Sequence, residues 1–319
     1  MKQLVSCIIY HVSWLCAKHT VRFTVLLLAT SYLLPATCIA QSLNEKDLAY
    51  FKKFEDSLHY MQKKVFYSKT DTAKLRANVK FYHLFEEILL NTISFNYPFD
   101  SLKEINLRTS SDKRFRMITW NIPKQDGTYY YFGFLQAMHP KTKRYEVYEL
   151  TDKSATVKNP ETYQSDNTKW FGMLYYNIIS CGDYYTLLGW DGNDRLTCRK
   201  FIDILSFKKD GSPVFGKEVF KMPKKYPKRV MFEYNAQVTM TLQYNESVKA
   251  IVFDHLTPKD AFLESQHQFY GPDFSYDAFF FKHGKWNFEE EVDAKNPRNR
   301  ADNVKKDLDK KDKPVYTPK

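Results

Sequence analysis

The run Val230-Met231-Phe232-Glu233-Tyr234-Asn235-Ala236-Gln237-Val238-Thr239-Met240-Thr241-Leu242-Gln243-Tyr244-Asn245-Glu246-Ser247-Val248-Lys249-Ala250-Ile251-Val252 decides the fold class. Val230, Phe232 and Tyr234 occupy alternate positions, as do Val238, Met240, Leu242 and Tyr244, and then Val248, Ala250 and Val252. Successive side chains of a strand point to opposite faces, so an apolar period of two marks half-buried strands. Asn235 and Asn245 stand between the three runs, where a turn residue is needed. The stretch therefore predicts a three-stranded antiparallel meander.

Outward from it, the same period extends from about Glu104, where Phe115, Met117 and Thr119 oppose Arg114, Arg116 and Ile118, as far as Glu291. Asp126-Gly127, Asp191-Gly192, Asp210-Gly211 and His283-Gly284 are each flanked by apolar or aromatic runs, the pattern of two-residue type I′ hairpins. About a dozen strands at the roughly 8 to 12 residue spacing of a sandwich or barrel follow from this count. The Asp-Gly turns fall at unequal intervals, which argues against the repeated blades of a propeller. Thr151 to Lys169, polar and turn-rich, reads as the main internal loop.

Upstream the period changes to three and four. Leu48, Phe51, Phe54, Leu58, Met61 and Val65 form one apolar stripe behind the cap pair Asn44 and Asp47. Ser68 to Asp71 interrupts it, and Ala73, Ala77, Phe81, Leu84 and Ile88 resume it to about Asn91. The expected class is α+β, mainly β: a helical hairpin packed on an antiparallel meander of about a dozen strands, barrel-like or sandwich.

The first forty residues lack acidic side chains and carry Lys2, Lys18 and Arg22 ahead of the apolar segment Phe23 to Leu34, which ends in Pro35 and Ala36-Thr37-Cys38-Ile39-Ala40. This is the layout of a secretory signal peptide cleaved before Gln41, and the segment is shorter than the ~20 residues of a membrane helix. Lipidation at Cys38, or retention as an N-terminal membrane anchor, are the alternatives. The expected organisation is a signal peptide at 1–40, a helical hairpin at 41–92, a mainly antiparallel β domain at 93–292 forming one unit with the helices, and a flexible charged tail at 293–319. Export to the periplasm or medium, with no membrane span in the mature chain, follows from that reading.

Of the net charge of +11, 3 of the 48 basic residues belong to the signal, and the segment after Val292 carries 9 basic against 5 acidic ones. The body is thus only modestly basic, unlike a nucleic-acid reader with cations gathered on one face. Cys181 and Cys198 alone remain after cleavage and read as two unpaired buried thiols, because turns near Gly182 and Gly192 place them at unequal distances from the second turn.

The chain contains no G-x-S-x-G, H-E-x-x-H, P-loop, G-x-G-x-x-G or C-x-x-C motif. Polar chemistry gathers instead between Ile251 and Trp286. Asp254-His255 offers a base and an orienting carboxylate as candidate catalytic residues. Asp273, Ser275 and Asp277 repeat the i, i+2, i+4 opening of a calcium loop, although Ala278 and Gly284 stand where such a loop needs Gly and a bidentate Glu. Calcium at that triad is the one cofactor the pattern suggests, against the plainer reading of a turn. Trp190 and Trp286, each beside a turn, are candidate platforms for a protein or glycan partner.

The segments Leu187-Leu188-Gly189-Trp190-Asp191-Gly192-Asn193, Arg199-Lys200-Phe201-Ile202-Asp203-Ile204-Leu205, Phe253-Asp254-His255-Leu256 and Tyr270-Gly271-Pro272-Asp273 resemble uncharacterised exported proteins of Bacteroidota. The resemblance implies export and a bacterial source, and brings no activity, cofactor or site residue with it. The sequence reading is a non-enzymatic envelope or secreted protein that binds a protein or glycan partner. Its rival is a hydrolase, with or without a metal, using the Asp/His-rich stretch 254–283.

Overall fold

The computed structural model describes residues 43–292; the expected signal peptide and charged tail lie outside the described residues. Helix α1 (Glu45–Tyr67) starts at Asn44, whose side chain accepts the Asp47 N–H at 2.9 Å while the Asp47 carboxylate accepts the Asn44 N–H at 3.2 Å. This reciprocal box is the one the Asn44/Asp47 pair predicts. Helix α2 (Asp71–Leu90) is capped by the Thr70 hydroxyl. The apolar stripes bury Phe51, Leu58 and Val65 on α1 and Phe81, Phe85 and Ile88 on α2.

Three sheets follow. The first contains β1 (Asn106–Thr109), β2 (Phe115–Pro123), β3 (Tyr129–Met138) and β4 (Tyr145–Leu150), antiparallel in chain order. The second contains β5 (Leu174–Ser180), β6 (Tyr185–Asp191), β7 (Thr197–Phe207), β8 (Pro213–Phe215) and β10 (Val230–Asn235), in the order β10-β7-β6-β5 with β8 also on β7. The third contains β9 (Phe220–Lys221), β11 (Leu242–Asn245), β12 (Ala250–Pro258), β13 (Tyr270–Lys282) and β14 (Lys285–Glu289), in the order β11-β12-β13-β14-β9 with β14 and β9 parallel. None of the three closes on itself, so the architecture is a stack rather than a barrel.

Alternation along the strands explains the stacking. Ile118, Trp120, Ile122 and Phe134 share a cluster with Phe81 and Phe85, so one face of the first sheet carries the helices. Phe115, Met117 and Leu135 on its other face pack with Tyr185, Leu187, Phe201 and Leu205 of the second sheet. Leu188, Ile202, Ile204 and Val230 then meet Ile251, Phe253, Phe279 and Trp286 of the third. The order of layers is helices, first sheet, second sheet, third sheet. The two inner sheets are covered on both faces, which is why β2 and β7 contain runs of buried residues.

The expected meander over Val230 to Val252 is not formed. β10 pairs with β7, from Val230↔Ile202 to Asn235↔Thr197, and β11 pairs with β12, from Leu242↔Phe253 to Asn245↔Ala250. Between them the Asn235 carbonyl accepts the Val238 N–H at 3.2 Å, and the Asn235 side chain donates to the Gln268 carbonyl at 2.6 Å. The chain thus leaves the second sheet and enters the third. Val230 and Tyr234 face Leu242 across the core gap instead of lying beside it. A period of two assigns faces and leaves the neighbouring strand open.

The turns also differ from expectation. Only His283-Gly284 has both φ values positive, 53° and 73°, closed by the pair Lys282↔Lys285 as a type I′ turn requires. At Asp126, Asp191 and Asp210 the carboxylate accepts the backbone N–H two residues on, at 2.8, 2.8 and 2.9 Å. These are Asx turns, in which an aspartate side chain stands in for a backbone carbonyl. Cys181 and Cys198 are both free thiols, the first buried and the second half-buried.

Candidate functional site

The polar stretch between β12 and β13 is arranged differently from either of its expected chemistries. A register shift between Asp254 and Leu256 marks a β-bulge at His255. The His255 Nδ1 lies 2.8 Å from Asp277 Oδ2, while Asp277 Oδ1 accepts the Glu291 N–H at 3.1 Å. The hydrogen bond to Asp277 holds the imidazole pKa above its ordinary value, and the negative charges of Asp273 and Glu290 add to the effect. Asp254 is not part of this pair. Its Oδ2 accepts the Thr241 N–H at 2.6 Å, tying β12 to the segment that precedes β11.

The expected Asp273, Ser275, Asp277 triad does not assemble as a calcium loop. Asp273 Oδ1 accepts both the N–H and the hydroxyl of Ser275, at 3.0 and 2.7 Å, and Asp277 is directed to His255. The intervening Phe274 sits at φ 71° and is 95% exposed, so this part of β13 is a turn-like irregularity. Among the described residues, no group of three or more His, Cys, Asp and Glu side chains is placed to hold a metal. Trp286 is also corrected as a partner platform: it is fully buried, and its Nε1 donates to Thr186 Oγ1 at 2.9 Å. The inward position of β14 explains this, since residue 286 points into the core between the second and third sheets. Trp190 remains half-buried, with its ring edge-on to Tyr129 at 5.9 Å.

A different site forms at the ends of the two inner sheets. Tyr129 and Tyr131 from β3, Asp191 from β6, Arg199 from β7, Phe171, and Lys158 of the long loop line a cavity of about 300 Å³. The Tyr131 hydroxyl donates to Asp191 Oδ1 at 2.7 Å and accepts the Gly192 N–H at 2.9 Å. Arg199 donates from Nε to Glu233 Oε2 at 2.8 Å and places Nη1 3.8 Å from Asp191 Oδ2. The Thr197 hydroxyl completes the network on Glu233 Oε1 at 2.8 Å.

Burial pushes the Asp191 carboxyl above its usual range, and the Asn193 N–H, the Tyr131 hydroxyl and Arg199 oppose that shift. Burial likewise raises the Tyr131 phenol, reinforced by the charge of Asp191. The site therefore offers a polarised carboxylate and a guanidinium between aromatic walls. Gly192 permits the construction, because a Cβ there would lie 2.2 Å from the Tyr129 ring.

Asp191-Gly192-Asn193 reads in the sequence as a hairpin turn, and the structure forms the turn through the Asp191 carboxylate. Trp190, the expected platform, lies beside the cavity-lining Tyr129. The loop between Thr151 and Lys169, expected as plain connection, forms three 3-10 turns at Ser154–Thr156, Pro160–Thr162 and Asn167–Lys169, and the first two contribute Ser154, Ala155 and Pro160 to the cavity wall.

No protein-family model matches the chain, and no curated protein and no solved structure matches it.

Proposed function

We propose that this chain is an exported binding protein, without catalytic activity of its own, that takes a glycan in the Asp191 cavity. The observation that carries the reading is the pairing of the Tyr129, Tyr131 and Phe171 rings with Asp191, Asn193 and Arg199 in one half-open recess. A sugar ring has an apolar face suited to aromatic walls and hydroxyl groups that both donate and accept hydrogen bonds, so a carboxylate beside a guanidinium serves it well. Export rests on the sequence of residues 1–40 and the layout of a signal peptide.

The test is a titration of the purified protein with a panel of neutral and acidic oligosaccharides, followed by intrinsic fluorescence, since Trp190 lies against Tyr129. Saturable binding that Tyr129→Ala and Arg199→Ala each weaken by at least tenfold is the expected result. Saturable binding that neither variant changes would place the ligand elsewhere and overturn the reading.

A second reading, a hydrolase, is favoured by one observation, the His255–Asp277 pair at 2.8 Å with the imidazole partly exposed. A carboxylate in that position fixes the tautomer of a general base. Turnover of any panel substrate that is lost in His255→Gln and retained in Arg199→Ala would establish this second reading in place of the first.

A further inference from the structure

We propose that the cavity beside Arg116 is a second ligand site, separate from the Asp191 recess, and that it takes an amphipathic monocarboxylate: one carboxylate group carried on an apolar chain. The cavity holds about 470 Å³ between the end of α2, the following 3-10 turn and strands β1 and β2; Phe95, Phe99 and Leu107 contribute apolar lining, and Asn96, Arg108 and Thr109 polar lining. Lys103 and Asp100 stand exposed at its edge. Arg116 belongs to the wall and is 1% exposed.

The state of its guanidinium points to the ligand. Nη1 donates to the carbonyls of Tyr97 and Phe95, at 2.9 and 3.3 Å. Nε and Nη2 are buried and make no hydrogen bond. These two nitrogens form one edge of the guanidinium, and their parallel N–H bonds match the two oxygens of a carboxylate. Cζ also lies over the Phe99 and Phe95 rings, 5.2 and 5.6 Å from their centres. The free edge is what remains for a partner.

No acidic side chain among the described residues is paired with Arg116, and burial lowers its pKa to about 9, which leaves it charged at neutral pH. A buried donor without a partner is unfavourable, and a buried charge without a counter-charge is more so. A carboxylate on the Nε/Nη2 edge relieves both. Phe99, at the left-handed φ of 55°, lines the cavity beside the guanidinium.

The rival occupant is a water. Gln136, directly across the ladder from Arg116, has a buried Oε1 without a partner, so one bridging molecule would satisfy both side chains. Water brings no charge to the guanidinium, however, and the cavity is far larger than the ~30 Å³ one water occupies.

Calorimetric titration of the full chain with octanoate, octan-1-ol, acetate and octyl phosphate tests the proposal. Octanoate is expected to bind one to one, with octan-1-ol and acetate at least tenfold weaker. Arg116→Met should weaken octanoate at least tenfold and leave octan-1-ol unchanged. Should that variant fail to fold, the wild-type protein provides the second readout: octanoate, and not octan-1-ol, should shift a slowly exchanging arginine Nε–H resonance that Arg116→Lys identifies.

Equal affinity for octan-1-ol, octanoate binding indifferent to Arg116→Met, or neither heat nor resonance shift with octanoate would each overturn the proposal, the last leaving bridging water as the occupant. Tighter binding of octyl phosphate would replace the carboxylate by a phosphate-headed ligand.

Discussion

Two arginines of this chain lie out of reach of water and are held in opposite ways. Arg229, which immediately precedes β10, meets Asp203 of β7 with Nε at 3.0 Å and Nη2 at 3.3 Å, both residues being fully buried. Asp203 also accepts the Tyr175 hydroxyl at 2.9 Å, and that hydroxyl accepts the Trp170 Nε1–H at 3.1 Å. Arg116, on β2, has two carbonyls and an unpaired edge instead. The first has its charge matched from within the chain, although its Nη1 is left without a hydrogen bond, and the pair links the residue before β10 to β7. The second is a cation whose completion is left to something else. A buried ion pair is weak evidence for net stability, yet removing one partner is severe; a buried cation without an acid partner lacks that second penalty.

The comparison can be broken most directly at Arg229. Arg229→Met leaves the Asp203 carboxylate without a counter-charge and should cost about 3–5 kcal/mol. Thermal unfolding followed by circular dichroism should then show a midpoint lower by roughly 10 °C, at ~2–4 °C per kcal/mol in a domain of this size. A drop of only 1 or 2 °C would show, at the same ~2–4 °C per kcal/mol, that the pair contributes little to the folded state.

Tyr175→Phe should cost less, about 1–3 kcal/mol, because it strips one donor from Asp203 and the acceptor of Trp170 Nε1 without removing a charge. Denaturant titration with an unchanged slope would confirm a loss of that size. Arg116→Met should have a smaller effect still. The carbonyls of Phe95 and Tyr97 lose a donor, but an uncompensated charge leaves the interior, so the net change should stay within ~1 kcal/mol in the absence of ligand. A loss equal to that of Arg229→Met would erase the distinction drawn between the two arginines.

The smallest effect is expected at the surface. His255 has its folded-state pKa raised, chiefly by the hydrogen bond to Asp277. Such a group contributes stability that is fully present below the unfolded imidazole value and lost as pH rises through the folded value. The half-exposed imidazole is screened, so the contribution should not exceed ~0.5 kcal/mol. Comparing the unfolding midpoints of wild type and His255→Gln across pH 5.5 to 9 should show the gap closing on the alkaline side; a gap that widens instead would contradict the sign.

Local features were the legible ones. Asn44 and Asp47 specify a cap within four residues, Ser68 to Asp71 interrupts one period and restarts it, and His283-Gly284 sits in the one turn whose two positive φ values match its residues. Each is settled by neighbours in the chain. The meander at Val230 to Val252 failed because the alternation of Val230, Phe232 and Tyr234 is satisfied by any sheet that offers an apolar face. The Asp191 cavity was illegible for a related reason, since Tyr129, Lys158, Phe171 and Arg199 come from segments with no shared pattern. Arg116 was hidden by its own strand, where a cation alternating with Met117 and Phe115 reads as an outward-facing residue until α2 and the turn after it are placed over it.

The parallel pair β14–β9 has a consequence for the order in which the molecule can be completed. Among the described residues β9 has β14 as its only strand partner, and the Trp286 N–H donates to the Val219 carbonyl at 2.9 Å, so a segment near residue 220 waits for one near residue 286. During synthesis the first sheet has all its strand partners, and its helix-covered face its cluster, within about the first half of the chain, so these can assemble as they emerge. The outer face of the second sheet cannot be sealed until the last strand arrives. A chain halted before Lys285 would leave the Phe279 and Ile251 surface bare where Trp286 belongs, and exposed apolar surface of that kind is prone to aggregation.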